Sequence, residues 1–226
     1  MSESHSAHNQ LEHCITAVKV DRKNNKEYIL SVEHMEEPIV VHEDMFIKYR
    51  LMKGECLTSS LIAEIIEVNG KYMAYIKAIR YLGTKARSSR QIADYLKRHE
   101  FNDEHISHAL ERLQSDGYVN DEQYAIAFVQ SKTRIQGKGR VRIAQDLKNR
   151  GISQKAIDMA LLELDEQDEF DAACREALKK LRSLSGEDRE IRRKLQLFLL
   201  RKGYTSGLIR KVMQFVENER KSNIDE

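Results

Sequence analysis

The chain has 226 residues, 41% of them hydrophobic and 33% charged, and 38 basic residues set against 36 acidic ones leave a formal net charge of +2. That length holds one or two domains with a buried core, and the even balance means that any case for a polyanionic partner has to come from clustering, not from net charge. No apolar run approaches the ~20 residues that cross a bilayer, and the polar N-terminus has no signal-peptide core. Cys14, Cys56 and Cys174 are odd in number and far apart, which predicts free thiols in a reducing compartment and neither a disulfide frame nor a zinc site. A cytoplasmic protein is expected.

Residues 1–10 are polar and are expected to be disordered. From Ile15 the pattern has period two. The run Ile15 to Val20, a polar turn containing Asn24 and Asn25, and the run Tyr28 to Val32 predict a β-hairpin. Pro38 to His42 predicts a third strand. Glu43 to Met52, apolar at Met45, Phe46, Tyr49 and Met52, predicts a short helix stopped by Gly54. Residues 1–56 therefore read as a β-rich unit and 57–70 as a connecting helix or linker, which Asn69-Gly70 would end or bend.

The rest reads as helical, with Pro38, the one proline of the chain, lying ahead of it. Ile92, Leu96, Phe101, Ile106, Leu110 and Leu113 recur at an offset of 51 as Ile143, Leu147, Ile152, Ile157, Leu161 and Leu164. They recur again, at an offset of 52, as Leu195, Leu199, Tyr204, Ile209, Met213 and Val216. In each copy a helix ends, a short turn follows, and another helix begins. Gly151 and Gly203 stand where a left-handed C-cap is wanted, and Asn102 or Asp103, Ser153, and Thr205 or Ser206 can cap the next helix. Ser88 with Gln91, and Asn120 with Gln123, have capping-box spacing. With leading helices at Lys71–Gly83, Asp121–Gln136 and Gln167–Leu184, the pattern predicts a mainly α protein. Its three tandem three-helix repeats, at 71–120, 121–166 and 167–226, would form an elongated curved array behind the β-rich unit.

Catalytic signals are weak. His105 and His108 are i,i+3, but no acid or cysteine stands at ligand spacing beside them, so they read as surface histidines. His13 adjoins Cys14, and adjacency alone makes no catalytic dyad. Gly137-Lys138-Gly139 lacks the spacing of a phosphate loop and reads as a flexible connection that keeps a cation exposed. Tyr124 and Phe128 are i,i+4 and read as core, not as stacking platforms. No cofactor or metal is implied.

Charge clustering is the stronger signal. Ser131 to Arg150 holds seven cations, Lys132, Arg134, Lys138, Arg140, Arg142, Lys148 and Arg150, and one acid, Asp146. Acids concentrate instead in Glu163 to Glu169. That separation predicts an electrostatic footprint for a polyanion or an acidic protein surface, whereas the bland alternative is a set of solvated helix faces.

The residues Ala86-Arg87-Ser88-Ser89-Arg90-Gln91-Ile92, Leu110-Glu111-Arg112-Leu113, Gly117-Tyr118-Val119-Asn120-Asp121, Tyr124-Ala125, Phe128-Val129 and Gly137-Lys138-Gly139-Arg140 resemble the RecX family of bacterial recombination regulators over about residues 72–216. The β-rich N-terminal part is similar to the extension of longer Gram-positive members. Asn120-Asp121 departs from the usual Asp-Asp, and Tyr124 from a frequent Phe. The resemblance implies a non-enzymatic regulator that binds RecA and its filament on single-stranded DNA, and a monomer is expected. It implies inhibition of RecA's ATPase, strand exchange and filament growth, while the helix-turn-helix-like spacing of each unit allows direct DNA binding as the alternative. Expected contact residues are Arg87, Arg134, Lys138, Arg140 and Arg142, and Ser88, Gly117, Asp121 and Gly151 are expected to be structural.

Overall fold

The computed structural model describes residues 12–22 and 24–222, so the expectation for residues 1–10 lies outside the described residues. Contacts divide the chain into two compact units. Among the described residues, one comprises those up to 84 with 95–115, and the other comprises 85–94 with 116–222.

The first unit opens with a four-stranded antiparallel sheet of Glu12–Val20 (β1), Glu27–Val32 (β2), Ile39–His42 (β3) and Cys56–Thr58 (β4), in the order β3-β2-β1-β4. The predicted hairpin is β1–β2. Its register shifts between Ile15 and Ala17, and the intervening Thr16 hydroxyl donates to the Ser31 carbonyl. Glu43–Lys48 (α1) is capped by His42 and is shorter than expected, because the left-handed residue that turns the chain is Arg50 (φ 51°), four positions before Gly54. Leu51 is thereby buried with Ile15, Leu30, Val41 and Ile65.

Ser59–Leu82 (α2) is one continuous helix, capped by the Thr58 hydroxyl. Asn69-Gly70 does not interrupt it. The Asn69 amide instead bridges the edge of β3, accepting from the His42 N–H and donating to the Val40 carbonyl, both at 2.9 Å. Gly70 leaves room for an imidazole, since a Cβ there would lie 2.2 Å from the His105 ring. His105 belongs to Asp103–Ser115 (α4), which packs along α2. Ala74 and Ala78 of α2 and Ala109 of α4 are fully buried. Small residues at such positions let two helix backbones approach closely.

One sequence expectation is overturned in this unit. Cys14 and Cys56 stand opposite each other across β1 and β4 and form a disulfide. Nothing in the sequence marked β4, a three-residue strand, and without it the separation of 42 residues concealed the pairing. Cys174 is the free, buried cysteine.

The second unit holds the start of Ser89–Lys97 (α3), then Asp121–Arg134 (α5), Arg140–Asn149 (α6), Gln154–Leu162 (α7), Glu166–Leu181 (α8), Asp188–Lys202 (α9) and Ser206–Ser222 (α10). The recurring apolar positions of its two complete copies form two clusters. One gathers Ile143, Leu147, Ile152 and Ile157 around Ala125 and Val129. The other gathers Leu195, Leu199, Tyr204 and Met213 around Ala173 and Ala177. Fifteen of the eighteen repeat positions in the chain are buried and Phe101, Leu110 and Leu161 are half-buried, so the 51–52-residue offset is a core spacing. Burying each large aliphatic side chain contributes about 2 kcal/mol.

The turns also recur. Gly151 (φ 78°) and Gly203 (φ 89°) take the left-handed conformation, and Glu100 (φ 65°) takes it in the first copy despite its Cβ. Asn102, Ser153 and Thr205 cap the helices that follow. Ten helices and one small antiparallel sheet make the described chain mainly helical. None of its helices is long and apolar enough to cross a membrane.

Candidate functional site

Three of the residues expected to be structural, Ser88, Asp121 and Gly151, meet at the first of two equivalent joints of the second unit. Ser88 and Gln91 close a reciprocal capping box at the head of α3, at 3.2 and 3.3 Å. The Ser88 hydroxyl also donates to the Arg150 carbonyl (2.7 Å), just before Gly151, and Asp121 accepts from the Ser89 N–H (2.9 Å). Fifty-one residues on, Gly139 heads α6 with no side chain to cap it. Its N–H donates to the Lys202 carbonyl (2.9 Å), just before Gly203, and Glu169 accepts from the Arg140 N–H (2.9 Å). In each joint a helix N-terminus docks on the next turn and is capped by an acid of the next leading helix. Gly117 (φ 75°) turns the chain ahead of Asn120, whose side chain caps α5 through the N–H groups of Glu122 and Gln123.

Gly137-Lys138-Gly139 is therefore a fitted connection, in correction of the flexible loop expected. A Cβ on Gly139 would lie 2.4 Å from the Gly203 carbonyl group, and a Cβ on Gly137 would meet the Glu176 side chain at 2.3 Å. Lys138 is half-buried and pairs with Asp146 at 2.7 Å, so its cation is not presented freely.

The charge separation seen along the sequence does not persist in space. The acidic run folds against the basic one. Arg134 pairs with Asp168 (2.7 Å), which pushes the guanidinium pKa further up. Arg140 pairs with Glu169 (2.7 Å), whose side chain is only 2% exposed. Arg142 pairs with Asp146 at 3.4 Å. Arg87 lies half-buried just ahead of the Ser88 cap. The five expected contact residues thus differ in role. Arg140 and Lys138 are built into the fold, while Arg134 and Arg142, with side chains 67% and 57% exposed, present charge at the surface.

Sequence reasoning missed a groove of about 500 Å³ between α3, α5 and α6. Arg90, Lys132, Lys138 and Arg150 line it around Phe128, with Asp94 and Asp146 as its acids. Lys132 and Arg150 both lie over the Phe128 ring, at 5.0 and 4.8 Å, and Arg150 donates to the Tyr124 hydroxyl. The i,i+4 pair of Phe128 and Lys132 was a visible signal. Arg150, which comes from the far end of α6, was not.

The remaining candidates have structural surroundings. His105 contacts Glu67 (3.0 Å) and Asn102 while His108 is exposed, and the Glu67 carboxyl is held below its usual range chiefly by that hydrogen bond. The Cys14 thiol is consumed in its disulfide, and His13 contacts the Glu33 carbonyl and the Ser59 hydroxyl. Among the described residues no three His, Cys, Asp or Glu side chains cluster as a metal site would need.

Comparison with known proteins bears on what this assembly is. The first, second and third three-helix domains of RecX match residues 74–113, 120–161 and 166–213. Regulatory protein RecX of Halalkalibacterium halodurans is 30% identical over 200 residues, covering 86% of this chain and 75% of its own. That of Listeria monocytogenes serotype 4a is 29% identical over 195 residues, covering 86% and 72%. A crystal structure of regulatory protein RecX superposes with a TM-score of 0.69 at 26% identity, over 89% of this chain and 99% of that one. RecX from Lactobacillus salivarius shares the fold with a TM-score of 0.61 at 23% identity, over 66% and 98%. With three consecutive domain matches laid over the repeats and joints described above, the chain belongs to the RecX family of regulatory proteins.

Proposed function

We propose that this chain is a cytoplasmic, non-enzymatic regulator that binds RecA and its filament on single-stranded DNA, and that it mainly inhibits RecA's ATPase, strand exchange and filament growth. The observation that carries the reading is the tandem match to all three RecX three-helix domains over 74–213, together with relatives whose names describe regulatory proteins. The chain acts as a monomer, with Arg134 and Arg142 making the surface contacts. Arg87, Lys138 and Arg140 contribute from their more enclosed positions.

Direct binding to DNA is the second reading, and the cationic groove around Phe128 favours it. Cations grouped about an aromatic ring suit a single strand, whose phosphates and bases they can meet together. Fluorescence anisotropy separates the two. Labelled chain is titrated with preformed RecA filaments on single-stranded DNA, and separately with the bare strand, over a range of salt. The RecA reading expects tight binding to filaments and at least ~10-fold weaker binding to the bare strand. Equal affinity for both, with a log–log salt slope near about −3 for four neutralised phosphates, would favour the DNA reading.

A further inference from the structure

The third repeat departs from the other two at one pair of exposed positions. One turn apart on the middle helix of each repeat stand Asp94 and Lys97, then Gln145 and Lys148, then Leu197 and Leu200. The first two pairs are polar and exposed, as a solvated helix face should be. Leu197 and Leu200 stand in place of those polar residues and are 47% and 56% exposed. They are not scattered single leucines, which would need no explanation. They form one wall of a groove of about 560 Å³ between α9 and α10, whose floor is the buried Ile209 and Met213.

The rim of that groove is positive. Arg192, Arg193 and Arg210 line it against a single acid, Glu217, and Glu217 is already paired with Arg192 at 2.7 Å. Arg193 and Arg210 are both exposed. From Arg193 to Leu200 the open wall runs about 10 Å along α9, enough for roughly two turns of a partner helix. Apolar anchors one turn apart in a groove between two helices are the complement of an amphipathic helix, and the basic rim asks that helix for acidic flanks.

We propose that the α9–α10 groove, walled by Leu197 and Leu200 and rimmed by Arg193 and Arg210, is a docking site for an acidic amphipathic helix of a partner protein. The proposal stands on this face alone and does not require that the partner be RecA. The test uses full-length chain and a fluorescein-labelled helical peptide of about 18 residues, with leucines at i, i+3, i+4 and i+7 and glutamates on either side. Control peptides carry lysines for the glutamates, or glutamines for the leucines. Saturable binding of the acidic leucine peptide is expected, with each control weaker by ~10-fold or more.

Leu197→Gln/Leu200→Lys installs the residues of the second repeat and should keep the circular dichroism spectrum while weakening the peptide ~10-fold or more. Arg193→Glu/Arg210→Glu should shift the preference to the lysine peptide. Absence of saturable binding, or binding unaltered in the folded Leu197→Gln/Leu200→Lys variant, overturns the proposal. So does a dimer of the wild-type chain in sedimentation velocity that the same variant dissolves, because the groove would then be occupied by a second copy.

Discussion

Arg140 and Arg142 stand two residues apart in α6 and face different surroundings. The Arg140 side chain and backbone N–H together satisfy Glu169, a carboxylate almost wholly removed from water. Removing one partner of such a pair strands the other charge, at a cost of about 3 kcal/mol. Arg140→Ala should therefore lower the denaturant midpoint clearly, whereas Arg142→Ala, whose partner Asp146 keeps Lys138, should stay within about 0.5 kcal/mol of wild type. Chemical denaturation of the two variants side by side checks this, and equal losses would deny the distinction. The sequence shows both as arginines in a basic run, since which arginine meets an acid 29 residues further on is a tertiary fact.

Cysteine chemistry gives a second test at this scale. Burial, with Asp171 nearby, pushes the Cys174 thiol up to about 11, so at pH 8 it stays protonated and enclosed. The thiolate is the reactive form, so native, unreduced protein should show almost no reactive thiol. Denatured, unreduced protein should show one, and denatured, reduced protein three, by Ellman titration, given one disulfide and one free cysteine. Three thiols without reductant would contradict the Cys14–Cys56 bond.

At the scale of elements, the helices that follow apolar periodicity were legible, and the elements set by single side chains reaching across space were not. Asn69-Gly70 has the composition of a helix breaker. Its amide finds partners on β3 and its missing Cβ makes room for His105, so α2 runs on through it. The strand β4 is too short to show any alternation, and its pairing with β1 was invisible for that reason. Gly139 was legible as a glycine in a connection but not as a joint. Its N–H is bonded to the Lys202 carbonyl and its α-carbon lies against Gly203. Gly139→Ala should destabilise the protein by about 1–3 kcal/mol through overpacking of backbone on backbone. Gly207→Ala, at a position with open space around it, should cost less than about 0.5 kcal/mol or stabilise the helix. Thermal unfolding of both variants tests this, and equal effects would remove the close approach from the account.

At the scale of the whole chain, the tandem repeats were readable because their apolar positions recur at a nearly constant offset and a core needs them there. The electrostatic reading was harder. Ser131 to Arg150 is basic and Glu163 to Glu169 is acidic along the sequence, yet Arg134–Asp168 and Arg140–Glu169 fold the two runs onto each other. Linear charge blocks predict a footprint only when the fold keeps them apart. The surface charge that remains is smaller and differently placed. It includes Arg142 and Arg134, the groove around Phe128 and the rim of the α9–α10 groove.

Regulation of RecA is the central claim, and the rate of ATP hydrolysis by RecA on single-stranded DNA, titrated with the full-length chain, tests it most directly. A dose-dependent fall in that rate is expected. The fall should be weakened several-fold in Arg134→Gln/Arg142→Gln, whose circular dichroism spectrum should match wild type. A hydrolysis rate unchanged at every ratio of this chain to RecA would contradict the account.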